Sequence, residues 1–121
     1  MSEAAPGGRL DPEDQKIITL ARSTRARVAS AEGAAVRDES GRTYTAAAVD
    51  LPSLRLSALR LAVAMAVSSG AADLEAAALV SDARAPDPGD LAVVREAGPK
   101  AAVFHVGTDG VLRATLTTLT P

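Results

Sequence analysis

Between Arg60 and Ser68-Ser69-Gly70 the chain runs Leu61-Ala62-Val63-Ala64-Met65-Ala66-Val67 without one polar residue. This run is far short of the roughly 18 apolar residues of a membrane span, so it reads as part of a helix in a soluble core. The helix is predicted over 54–68, with Pro52-Ser53 breaking the preceding strand, Ser53 capping and Gly70 terminating. A helix apolar on nearly every side after Arg60 must be covered on more than one face. It therefore belongs at the centre, between its own sheet and either another helix or a second subunit.

Turn chemistry divides the rest of the chain. Asp11-Pro12-Glu13-Asp14 offers a capping acid, a first-turn proline and acids that complement the positive helix end; Ile17, Ile18, Leu20, Ala21, Val28 and Ala29 then recur near helical spacing. A first helix is predicted to about Ala29. Residues 31–37 and 42–50 read as strands around the turn Asp38-Glu39-Ser40-Gly41, and 74–81 as a buried strand although alanine favours strands poorly. Asp87-Pro88-Gly89-Asp90 repeats the first helix start, so a third helix runs from Pro88 to about Ala97 and stops at Gly98-Pro99. Residues 101–106 and 111–116 are strands around Thr108-Asp109-Gly110. The order is α-β-β-α-β-α-β-β, and its βαβαβ stretch implies parallel strands in a layered α/β sandwich.

Residues 1–10 read as a flexible tail and 11–121 as one domain of the size a single core fills. With 47% apolar and 23% charged residues and a net charge of -2, nothing draws the protein to nucleic acid or an anionic membrane. The first residues lack the basic start and apolar core of a signal peptide, so a cytoplasmic protein is expected. The absence of cysteine rules out disulfides and thiolate metal ligands.

Six segments, in order, carry a resemblance. These are Glu32-Gly33-Ala34-Ala35-Val36, Gly41-Arg42-Thr43-Tyr44-Thr45, Ala48-Val49-Asp50, Ser57-Ala58-Leu59-Arg60 with Pro86-Asp87-Pro88-Gly89-Asp90, and the closing Thr115-Leu116-Thr117-Thr118-Leu119-Thr120-Pro121. Their sequence and spacing resemble the small homotetrameric branch of the cytidine deaminase family. That resemblance implies a three-layer α/β/α cytidine-deaminase-like sandwich with a mixed five-stranded sheet. It also implies a zinc site, which this chain fails to supply. Ser57 stands where the family has its first cysteine ligand, Leu59 where it has the catalytic glutamate, and Asp87 and Asp90 where it has two further cysteines.

A neutral serine hydroxyl is a poor zinc ligand, leucine cannot move protons, and two carboxylates alone hold a hard cation weakly. No catalytic residue, metal or cofactor is therefore assigned at these degenerate positions. Asp87 and Asp90 read first as a helix cap and a first-turn acid, and Ser57 as a small buried helix residue bonding back to its own turn. Arg60, one helical turn from Ser57, is expected to meet Asp87 or Asp90 where the metal would sit. The nucleoside pocket is also reduced, with Ala48 in place of a sugar-binding asparagine and Asp50 in place of a longer glutamate. Asp50, Arg55, Ser57 and Arg60 are the remaining candidates for holding a nucleoside or other small ligand.

Outside that site, alternation predicts that Phe104 and His105 point to opposite faces, one buried and the other more exposed. Arg22 and Arg25, one turn apart, are able to touch phosphate but read first as a solvated helix face. The chain is thus expected to be a catalytically inactive deaminase homologue acting as an oligomeric structural or regulatory protein, a tetramer before a dimer. A ligand-binding module with a remodelled pocket is the alternative, and an enzyme of zinc-independent chemistry a third.

Overall fold

A computed structural model of the protein describes residues 10–117. The tail expected at 1–10, apart from Leu10, and the closing segment 118–121 lie outside the described residues. Helix α1 (Pro12–Val28) starts where the turn chemistry placed it: Asp11 accepts the Glu13 N–H at 2.8 Å, and Glu13 and Asp14 occupy the first turn. Strands β1 (Gly33–Asp38) and β2 (Thr43–Ala47) form the expected hairpin. Asp38 locks its turn, accepting from Ser40 N and Oγ at 2.9 and 2.7 Å, Arg42 N at 3.0 Å and the Tyr44 hydroxyl at 2.8 Å. These bonds, led by the one from the Ser40 hydroxyl, hold the buried carboxylate at a pKa of about 2.

The next segment departs from expectation. The strand foreseen over 42–50 breaks at Ala48, and β3 (Val49–Leu51) pairs with β4 (Leu54–Leu56) across Pro52-Ser53. The predicted helix therefore loses its first four residues, 54–57. Ser53 is not its cap; Ser57 is, accepting the Arg60 N–H at 3.2 Å, and α2 runs Ala58–Ser68. Leu54-Arg55-Leu56 alternates as a strand requires, and an available partner strand outweighs its helical propensity.

Strand β5 (Leu74–Val80), helix α3 (Pro88–Ala97) and strands β6 (Ala102–Val106) and β7 (Leu112–Thr117) follow, giving a five-stranded sheet in the order β2-β1-β5-β6-β7. The sheet is mixed, and among the described residues only β5 and β6 are hydrogen-bonded in parallel. Strands β2, β5 and β6 do share one direction, as the βαβαβ reading required. Their first pair is not adjacent, because β1 lies between β2 and β5, antiparallel to both.

Helices cover both faces. Ile17 and Ala21 of α1 pack with Ala35, Ala76, Ala78, Val80, Phe104 and Val106 on one side. Leu59, Ala62, Val63 and Ala66 of α2 meet Val94 of α3 with Ala34, Val36, Ala77, Leu79 and Val103 on the other. The central position foreseen for the apolar helix is thus half realised: one face is buried, while Met65 and Val67 are 38% and 54% exposed. Both Phe104 and His105 are buried, at 5% and 1% exposure, because β6 lies inside the sheet with a layer on each face. Leu59, fully buried in the α2 layer, is expected to be worth about 2–5 kcal/mol as Leu59→Ala, measured as lost stability in urea unfolding.

Candidate functional site

The amino ends of α2 and α3 converge. Each leaves unbonded backbone N–H groups and a partial positive charge that polar side chains must answer. At α3, Asp87 accepts the Gly89 and Asp90 N–H groups at 2.9 and 3.2 Å, the capping role read from its proline-flanked position. At α2, the capping is shared: Ser57 takes the Arg60 N–H, and Glu32, immediately before β1, accepts the Ala58 N–H at 2.8 Å. Nothing periodic marked Glu32 in the sequence. Its role depends on β1 lying beside α2, which only the folded chain brings about.

Asp90 joins the two helix ends. Its Oδ1 accepts the Ser57 hydroxyl at 3.0 Å and the Arg60 Nε–H at 2.7 Å, while its side chain is only 7% exposed. Ser57 is thus a half-buried cap and inter-helix donor, not a buried helix residue bonded only to its own turn. Of the two carboxylates considered for Arg60, Asp90 is the partner. Gly89 makes the pairing possible, since a Cβ there would collide with the Arg60 guanidinium.

Beside this pair a cleft of about 650 Å³ gathers all four candidate ligand residues, Asp50, Arg55, Ser57 and Arg60, with Glu32 and Ala48. Asp50 and Arg55 are cross-strand neighbours on β3 and β4, ion-paired at 3.2 Å and exposed at 85% and 76%. Such a pair contributes little to stability, so it is free to exchange its partner for a ligand.

The donor set a zinc ion would need is already committed to other partners. Asp87 is occupied with backbone N–H groups, Asp90 already carries a guanidinium and a hydroxyl, and a cation beside Arg60 would face a fixed positive charge. Leu59, where the resemblance places a glutamate, points into the core. Among the described residues no group of three or more histidine, cysteine, aspartate or glutamate side chains is arranged to hold a metal. The set does not fit zinc.

A second polar contact lies behind this wall. Ser81 Oγ and His105 Nε2 are 3.1 Å apart, both buried, and Ser81 borders a cavity of about 450 Å³ with Glu32, Asp87 and Asp90. Burial first, and then Arg113, keeps His105 below its usual pKa, against a smaller opposing hydrogen bond at Ser81. Among the described residues no helix is long and apolar enough to cross a membrane.

A sequence profile described as "Cytidine deaminase-like" matches residues 10–110. A search of curated proteins returned no significant match. Among solved structures, cytidine deaminase from Burkholderia pseudomallei superposes with a TM-score of 0.75 at 23% identity, covering 86% of this chain and 91% of that one. The Mycobacterium leprae cytidine deaminase gives a TM-score of 0.69 at 21% identity, with 89% and 95% covered. For the Mycobacterium tuberculosis enzyme the TM-score is 0.66 at 25% identity, with 78% and 86% covered.

Two measurements probe the site. A double-mutant cycle of Arg60→Met and Asp90→Asn is expected to give a coupling of roughly 0.5–2 kcal/mol, reduced from a buried pair because Arg60 is 46% exposed. The second concerns pH. His105 titrates lower in the folded state than its ordinary 6.5, so its contribution is complete above that value and lost as pH falls below it. Asp38, also depressed, keeps its full contribution above about 3.8 and loses it only as pH falls from there toward about 2. Chemical-denaturation stability should therefore decline as pH falls below about 6.5, and His105→Gln should flatten that decline.

Proposed function

The chain belongs to the cytidine deaminase-like family, and we propose that it is a member without zinc-dependent deamination, serving as a homo-oligomeric structural or regulatory protein. The observation that carries this reading is the Arg60 Nε–Asp90 Oδ1 bond of 2.7 Å between the two helix ends. A fixed guanidinium supplies there the positive charge that the resemblance assigns to a metal. Being always protonated and without an open coordination position, it cannot lower the pKa of a water or polarise a leaving amine as zinc does. Leu59 removes the proton shuttle at the same time. Loss of both functions together, with Ser57 and Asp90 rebuilt into a hydrogen-bonded bridge, favours a site maintained for stability.

Self-association is supported by apolar side chains left exposed: Met65 and Val67 near the carboxyl end of α2, and Leu51 and Leu54, at 53% and 48%, on the β3–β4 hairpin. A second copy of the chain is the simplest cover for such residues, and closed symmetry follows where a covered patch is self-complementary. A tetramer is the first expectation and a dimer the second.

One observation favours a second reading. The cleft of about 650 Å³ keeps Asp50, Arg55, Ser57 and Arg60 on its wall, which suits a small polar ligand such as a nucleoside.

Metal analysis of purified protein together with cytidine and deoxycytidine turnover tests the main reading. The expected outcome is zinc well below one ion per chain and ammonia release no faster than the uncatalysed background. Stoichiometric zinc with turnover would overturn it. Light scattering should report an assembly larger than one chain, weakened by Met65→Glu. A thermal-shift screen separates the two readings, since a nucleoside at ~100 times its Kd would stabilise the cleft by about 2.7 kcal/mol.

A further inference from the structure

Arg22 and Arg25 stand one turn apart on α1, and nothing in the deaminase-like site uses them. Both face a depression of about 300 Å³ shared with Thr19, Ser23 and Thr108, whose lining contains no carboxylate. It opens beside Val80, the last residue of β5, and Thr108, just beyond β6. These are the carboxyl ends of the parallel pair, where open α/β sheets gather their ligands.

Both guanidiniums are positioned. Arg25 donates from Nη1 to the Ser30 carbonyl at 3.2 Å. Arg22 lies over Gly110, where a Cβ would come within 2.7–2.9 Å of its guanidinium atoms; that glycine is also required by its φ of +87°. Arg113 packs over Gly107 in the same manner, so three guanidiniums surround the Thr108 turn.

The neighbouring acids are already engaged. Asp82 accepts from Thr108 N and Oγ1 at 3.2 and 2.8 Å and pairs with Arg113 at 3.6 Å. Asp109 accepts the Val111 N–H at 3.0 Å. Among the described residues neither Arg22 nor Arg25 has a carboxylate within ion-pairing distance; Asp82 attracts Arg25 at longer range but is shared with Arg113, so three guanidiniums around one such carboxylate leave the depression an excess of positive charge. Like charges held one turn apart repel unless an anion bridges them.

Thr19 and Arg22 also border an adjoining depression of about 240 Å³ of mixed lining, with Gln15 and Gly110 beside the apolar side chains of Leu10, Ile18, Val106 and Leu112. We infer that the combined groove binds a small anion consisting of a phosphoryl group on an apolar or aromatic body. Arg22 and Arg25 hold the phosphoryl oxygens, since guanidinium forks match phosphate geometry, and the Thr19 and Ser23 hydroxyls complete the polar end. The body of the ligand lies along Leu10, Ile18 and Leu112. The groove is lined by α1 and the β6–β7 end and shares no residue with the cleft at Arg60, so it stands or falls independently of the function proposed above.

Calorimetric titration of the full chain at fixed ionic strength, with phenyl phosphate and with inorganic phosphate, tests the assignment. Phenyl phosphate should bind saturably at one per chain and more tightly than inorganic phosphate. Arg22→Ala and Arg25→Gln, checked by circular dichroism to be folded, should each weaken it about tenfold, the effect of one charge-assisted hydrogen bond. Arg55→Ala, in the other cleft, should leave it unchanged. Absence of saturable binding, or equal binding by the folded Arg22→Ala variant, overturns the site. Equal affinity for the two phosphates overturns the apolar half of the groove.

Discussion

Two helix amino ends that meet over one sheet impose the main electrostatic demand on this protein. Each end presents free amides and part of a positive charge, so the space between them must be filled by acceptors or anions. Cysteine thiolates around a metal are one way to meet that demand. Here Glu32, Asp87 and Asp90 meet it with carboxylates, and Ser57 bridges the two helices. Carboxylates in excess then call for a cation, and Arg60, already on the first turn of α2, supplies it. The absence of a side chain at Gly89 gives that guanidinium its room.

The framework that brings the helix ends together is built from small residues. Ala34 and Ala35 of β1 and Ala76, Ala77 and Ala78 of β5 are all buried, which lets helices approach the sheet closely on both faces. Gly33 shows how close: a Cβ there would run into the Ala21 carbonyl and the Arg25 side chain. Packing of this kind depends on volume and pattern more than on residue identity. It accounts for a fold shared with the Burkholderia pseudomallei structure at only 23% identity.

Much of the architecture was legible because its signals are local. Asp11-Pro12 and Asp87-Pro88 announce two helix starts, and Asp38 to Gly41 announces a hairpin, each by side-chain chemistry acting within four residues. The segment from Val49 to Ser57 was misread because its strands are three residues long and exist by pairing with each other, a contact that propensity does not register. Burial of His105 was missed for a related reason: alternation assigns faces, but whether a face meets solvent depends on which layers cover it.

The candidate site divides along the same line. Residue types alone removed thiolate ligation, since the chain has no cysteine, and put an alkyl side chain, Leu59, where the resemblance expects a proton-moving glutamate. Tertiary structure decided the rest. It chose Asp90 over Asp87 as the partner of Arg60, recruited Glu32 to the end of α2, and drew Asp50 and Arg55 to the same cleft as Ser57. Those outcomes rest on distances between residues up to 30 positions apart, which follow from strand register and helix packing. No property of the individual residues encodes them.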